Sequence, residues 1–128
     1  MFYRKATDVE AAKIFLGERI NNRESIIFVS LSAERQDDKN EMLAGFVQLY
    51  PIFSSTRMKR LWLLNDLFVS VEHRGKGISK LLIERCGQLA NETNAGGVML
   101  ETEKTNEIGN CLYLQTGFKL IENNFYFL

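Results

Sequence analysis

The largely apolar run Leu61 to Val71 passes through Glu72-His73-Arg74-Gly75-Lys76-Gly77 directly into an amphipathic pattern opening at Ile78-Ser79. Few local arrangements satisfy that order. The apolar run has the length and composition of a central strand covered on both faces. Ile78, Leu81, Leu82, Cys86, Leu89 and Ala90 fall on one stripe, so Ile78 to Ala90 is expected to be a helix. The two glycines between them let main-chain N–H groups approach an anion with no Cβ in the way. A helix N-terminus adds unpaired donors and the positive end of a dipole, and Arg74 and Lys76 add charge. Strand, glycine loop and helix together predict a cradle for a phosphate or pyrophosphate.

The remaining segments fit one domain spanning residues 1–128. Val9 to Ile20 carries Ala11, Ala12, Phe15, Leu16 and Ile20 at helical spacing, with Asp8 as a candidate N-cap. Ile26 to Ser32 reads as a strand, Ala33 to Met42 as an exposed turn, and Leu43 to Tyr50 as the partner strand, stopped by Pro51. Arg57, Lys59 and Arg60 read as a solvated turn. After the Ile78 helix, Gly96-Gly97 marks the turn into a strand at Val98 to Thr102. Glu107 to Gln115 is a short helix closed by Gly117, and Phe118 to Ile121 and Phe125 to Leu128 read as two last strands. The predicted class is mixed α/β (or α+β), a central sheet with helices against it.

Composition narrows the function. Sixteen basic and sixteen acidic residues cancel, which argues against nucleic acid or an anionic membrane surface as partner. No signal pattern and no apolar run near the roughly 18 residues of a membrane span appear, so a cytoplasmic protein is expected. Cys86 and Cys111 lack a CxxC spacing, and the sole histidine, His73, has no ligand partner nearby in sequence; no metal is expected. Two familiar phosphate motifs fail on the loop. A Walker pattern needs four residues between its first glycine and a Gly-Lys-Ser/Thr. The dinucleotide fingerprint wants a third glycine where Lys80 stands and a βαβ unit opening on that strand, and neither is expected here.

Arg74-Gly75-Lys76-Gly77-Ile78-Ser79 instead resembles the Gln/Arg-x-x-Gly-x-Gly/Ala loop of the GNAT superfamily of N-acetyltransferases. Ser79 stands where that family prefers Gly or Ala. Downstream, Asn106-x-x-Gly109-x-x-Leu112-Tyr113-x-Gln115-x-Gly117-Phe118 is similar to the family's second signature, with Gly109 for alanine and Gln115 for lysine. The order and spacing of the two motifs also match. The resemblance implies a mixed sheet splayed at the cofactor site, helices on both faces, and acetyl-coenzyme A as cofactor with coenzyme A as product. It assigns Phe68, Val69 and Val71 to the pantetheine arm, Arg74, Gly75, Lys76, Gly77, Ile78 and Ser79 to the pyrophosphate, and Asn106 to the far side of the cofactor.

Direct attack by a neutral amine on the thioester needs a proton acceptor for the amine and a proton donor for the leaving thiolate. Tyr113 corresponds to the tyrosine that many family members use as general acid; the alternative is a tyrosine that only packs. Asp66 is the candidate acceptor, the alternatives being a structural carboxylate or a ligand for the substrate ammonium. Gly45 through Ser55 and Leu64-Asn65-Asp66-Leu67-Phe68-Val69 resemble the diamine and amino-acid acetyltransferases of the family. By that resemblance Tyr50, Phe53, Ser54, Ser55 and Asn65 line the pocket of a small-molecule amine, although the aromatics can equally be core. Asn65 stands where polyamine acetyltransferases usually carry glutamate.

The family normally opens with a strand and two helices. Either Phe2 to Thr7 is that strand and one helix is lost, or Phe2 through Leu16 enters the second helix and both the first strand and first helix are missing or shortened; the second reading fits without gaps. Two further functions stay open, a cofactor-binding module without activity and a protein lysine or N-terminal acetyltransferase. A homodimer is expected, covering an apolar sheet margin at Phe125-Tyr126-Phe127-Leu128.

Overall fold

The computed structural model describes residues 9–32 and 42–128. The expectations for Asp8, for Phe2 to Thr7 and for 33–41 of the turn lie outside the described residues. In chain order the elements are α1 (Val9–Asn21), β1 (Ile26–Ser32), β2 (Met42–Ser54), β3 (Lys59–Val69), a 3-10 turn at Val71–His73, α2 (Ile78–Glu92), β4 (Val98–Met99) and α3 (Glu107–Gln115). The sheet runs β1-β2-β3-β4. Its first two pairs are antiparallel and β3–β4 is parallel, so the architecture is mixed α/β.

The core lies where α2 sits on the sheet. Val47 and Leu49 of β2 and Trp62 and Leu64 of β3 meet Leu82, Cys86, Leu89 and Ala90 of the helix. Two further contacts pin the helix at its flank and its end. The Arg85 guanidinium lies 4.4 Å over the ring of Phe28 on β1, and the Trp62 indole donates to Thr93 Oγ1 at 2.9 Å. Leu81, expected on the buried stripe, is 62% exposed. Ile83 is buried instead, so the covered stripe is turned by a residue toward the other flank of the helix.

Several boundaries move for reasons the sheet makes plain. β2 does not stop at Pro51 but continues to Ser54, with Pro51 opposite Trp62. The first residue of β1, Ile26, lies opposite Leu49, so among the described residues β2 beyond that point has no strand on this side, and a residue lacking N–H is tolerated there. Extension of β2 draws Lys59 and Arg60 out of the expected turn and into β3, opposite Ser54 and Phe53. Arg60 lies over the rings of Phe53 and Trp62 at 5.5 and 5.4 Å. β3 closes at Val69, and Val71 belongs to the following 3-10 turn. Because β3 and β4 pair in parallel across α2, a crossover βαβ unit does open on this strand, contrary to expectation. Only the missing glycine at Lys80 now argues against a dinucleotide fingerprint.

Two expectations fail more completely. Helix α1 forms, but Phe15, Leu16 and Ile20 are exposed. Ile14, Phe15 and Leu16 are consecutive and spread over more than half the helix circumference, which leaves no single stripe to bury. Neither Phe118–Ile121 nor Phe125–Leu128 is a strand, and Leu120, Ile121 and Phe125 to Leu128 are exposed. The margin on which a homodimer is expected is therefore irregular chain rather than a strand edge. β4 is also shorter than the expected Val98 to Thr102.

Gly45 holds β2 close to β3. It lies opposite Val69, and a Cβ there would stand 2.6 Å from the carbonyl oxygen of Phe68. Gly45→Ala should therefore cost about 1–3 kcal/mol, the usual range for overpacking, read as a lower urea midpoint. An unchanged midpoint would mean that the ladder widens here at no cost.

Candidate active site

Backbone conformation makes the glycine loop what it is. Arg74 is extended, at φ −71° and ψ 151°. Gly75 and Gly77 both have φ of +79°, the left-handed region that a side chain disfavours. No atom would meet a Cβ at either glycine, so the requirement is conformational and not one of space. Gly77 is also the N-cap of α2, with no side-chain cap. The first hydrogen bond into that turn runs from Leu81 N to Gly77 O at 3.2 Å, which leaves the N–H groups of Ile78, Ser79 and Lys80 without a helical acceptor. Arg74 and Lys76 are exposed beside them.

The loop is anchored on both sides. Ser70 N donates to Ala44 O at 2.8 Å, and Arg74 Nε donates to the carbonyl of Val69 at 3.2 Å. His73 is 3% exposed, and its Nδ1 lies 2.6 Å from Ser70 Oγ. It braces the loop from inside. Upstream, the β3–β4 ladder is two pairs long, Trp62 with Val98 and Leu63 with Met99, while β3 runs on to Val69. The strands thus part on the side of the sheet that leads to the loop.

On the sheet, Asp66 belongs to a network that the sequence reading missed. Gln48 Nε2 donates to Tyr50 Oη at 2.6 Å and to Asp66 Oδ2 at 2.9 Å. Asn65 Nδ2 adds a second bond to the same oxygen at 3.0 Å. Gln48 is 3% exposed, and an amide buried in an apolar strand must find partners; its place amid Leu43 to Tyr50 was the available signal. A bulge between Gln48 and Leu49 shifts the register so that Gln48 faces Asp66 while Leu49 faces Leu64.

Tyr50 also borders an open depression of about 470 Å³, lined by Phe15, Arg19, Glu24, Tyr50, Pro51 and Phe53. Ser54 and Ser55 do not line it. Ser54 Oγ accepts from Arg57 N at 3.3 Å, and Ser55 is exposed in the hairpin turn. Arg19 and Glu24 were not singled out in the sequence, since nothing local marks them as meeting β2.

Tyr113 is held from two directions. Helix α3 ends with Phe118 N donating to Tyr113 O at 3.0 Å and Gly117 N to Leu114 O at 3.4 Å. This is the helix ending that left-handed Gly117, at φ +104°, permits. The Phe118 ring meets Tyr113 edge-on at 5.8 Å between centroids. At the other end, Asn106 is the N-cap: its Oδ1 accepts from Gly109 N at 3.1 Å and its Nδ2 donates to Thr102 at 2.9 Å. A Cβ on Gly109 would run into that Asn106 side chain, so the glycine in the family's alanine position permits this cap. Tyr113 and Asp66 share no hydrogen bond.

Burial pushes the Tyr113 phenol above its ordinary 10.0. Tyr50 is raised likewise, by burial first and then by the charge of Asp66, against smaller opposing effects of Arg19 and the Gln48 hydrogen bond. The buried Cys86 thiol is pushed up from 9.0 to about 11. Each folded value exceeds the unfolded one, so the folded state keeps these protons longer. The associated stability is complete below the unfolded values and is lost as pH rises through the folded ones. The urea midpoint should thus fall from about pH 9 upward, and Tyr113→Phe should make the loss shallower. A midpoint that stays level through this range would contradict the assignment.

Among the described residues no group of three or more His, Cys, Asp or Glu could hold a metal ion, and no helix is long and apolar enough to cross a membrane. Residues 2–118 match the model of the acetyltransferase (GNAT) family. An uncharacterized N-acetyltransferase of Bacillus subtilis, YhfO, is 39% identical over 92% of this chain and 74% of that protein. A "probable acetyltransferase" of Haemophilus influenzae is 30% identical over 77% of this chain and 64% of its own length. Human N-acetyltransferase 8 is 34% identical over 70% of this chain and only 39% of its own. The crystal structure of a "probable acetyltransferase" superposes with a TM-score of 0.87 at 35% identity, covering 99% of this chain and 82% of that one.

Proposed function

This chain belongs to the acetyltransferase (GNAT) family, and we propose that it moves the acetyl group of acetyl-coenzyme A to a primary amine of a small molecule. The observation that carries this reading is the loop: two left-handed glycines and an uncapped helix N-terminus, flanked by Arg74 and Lys76. The thioester supplies an activated carbonyl, and the pyrophosphate of coenzyme A suits the N–H groups of Ile78, Ser79 and Lys80, which have no helical acceptor. The parting of β3 and β4 after Leu63 supports the pantetheine arm lying near Phe68, Val69 and Val71. Asn106, already engaged as a cap, would meet the cofactor's far side only at its edge.

In this reading the amine nitrogen attacks the acetyl carbonyl, a C–N bond forms and the C–S bond breaks. Asp66 takes the amine proton, directly or through water. Both of its internal hydrogen bonds fall on Oδ2, which favours Oδ1 as the accepting atom. Tyr113 gives its phenolic proton to the departing thiolate. Its upward shift by burial keeps it protonated near neutral pH, as a general acid requires.

Acetyl-coenzyme A should raise the melting temperature, and Gly77→Val, forcing a branched residue to φ +79°, should abolish that rise. Equal thermal shifts in both proteins would remove the loop from the cofactor site. Tyr113→Phe should keep the shift but slow thiol release roughly 10²–10⁴-fold; unchanged turnover would reduce Tyr113 to a packing residue.

A further inference from the structure

An amide stands in the middle of the apolar strand β2. Gln48 lies between Val47 and Leu49, both sealed from solvent, and is itself buried. Burying an amide is costly unless its polar atoms are paired. Its Nε2 lies 2.6 Å from Tyr50 Oη and 2.9 Å from Asp66 Oδ2, and the carboxylate decides the direction of both bonds. An ionised Asp66 only accepts, so Gln48 must turn its NH2 and not its carbonyl toward it. The same nitrogen carries its second hydrogen to Tyr50, whose oxygen must then accept. Gln48 thus stands between phenol and carboxylate, and keeps the Tyr50 proton off Asp66.

The bulge serves the same end. Gln48 faces Asp66 while Leu49 faces Leu64, so Asn65 is the extra residue of β3. A bulge re-aims side chains, and here Asn65 Nδ2 donates at 3.0 Å to the oxygen that Gln48 already holds. Two amides on Oδ2 fix the carboxylate. We propose that Gln48 is a positioning residue for proton transfer, holding Oδ2 of Asp66 so that Oδ1 is left to take the proton of the acceptor amine. This rests on Asp66 being the proton acceptor of the proposed acetyl transfer. Gln48 needs no contact with substrate, because it acts through Asp66.

A donor role and simple filling of the strand rank two variants in opposite order. Gln48→Met keeps the unbranched shape and suits the apolar strand but has no N–H. Gln48→His fits the strand less well but carries a ring N–H of similar reach. The probes are butylamine, cadaverine and lysine, with thiol release from acetyl-coenzyme A as the readout. Gln48→Met should lower kcat roughly tenfold or more, as loss of a hydrogen bond to a charged group implies. Gln48→His should retain more of it, and the KM for acetyl-coenzyme A should not change in either. In the Asp66→Asn protein, Gln48→Met should have no further effect on kcat, since its action runs through Asp66. A kcat for Gln48→Met equal to wild type or above that of Gln48→His overturns the inference, as does an equal loss in the Asp66→Asn protein. If Gln48→Met fails to fold, Gln48→His decides alone: a kcat more than about tenfold below wild type overturns the role. Wild-type protein that binds acetyl-coenzyme A and releases no thiol with any of the three amines sinks the transfer reading and this role with it. Wild-type turnover undisturbed by Gln48→Met sinks this role alone.

Discussion

Val47, Leu49, Trp62 and Leu64 on the sheet pack beneath Leu82, Cys86, Leu89 and Ala90 of α2, and this contact aims the N-terminus of the helix. Three side chains in it, Val47, Leu49 and Cys86, are essentially sealed from solvent, so the helix cannot slide or rotate without opening voids. With its far end tied through Trp62 to Thr93, α2 has one seating. Its free N–H groups then point where β3 delivers the chain. The loop itself makes few contacts of its own: Ser70 to Ala44, His73 to Ser70, and Arg74 to the end of β3. A weakly packed loop can present donors to a ligand because the elements on either side are rigid.

The parts legible in the sequence were those set by local chemistry. β1 and α3 have the residue ranges expected of them, since each is bounded by turn or cap signals within the segment. The loop was legible because glycine, a basic residue and a helix start are all neighbours in sequence. What the sequence did not carry were features set by a partner strand. The run past Pro51 and the pull of Lys59 and Arg60 into β3 both depend on how far two strands stay opposed. Phe125 to Leu128 have the residue types of a strand, but strand propensity is largely packing against a neighbour, and these residues are exposed.

The site shows the same division. Tyr113 and Gly117 were found from their spacing, and the helix ending that fixes Tyr113 is local. The Gln48 network was not found, because it joins residues on two strands through a bulge whose position no short pattern announces. Arg19 and Glu24 flank the turn between α1 and β1 and come to the depression only through the docking of that turn beside β2. A pocket assembled from the ends of separate elements leaves little trace in any one of them.

Pro51 gains a second meaning from its place in β2. Past Leu49 the strand has outrun β1, and among the described residues no other strand pairs with it on that side; backbone left unpaired at a sheet margin is where stray peptide segments add on as extra strands. A pyrrolidine ring there deletes one donor and stiffens the chain, so the rim bordering the depression is poorly suited to recruiting another strand. The same residue that extends β2 past its expected stop thus limits growth of the sheet on that side.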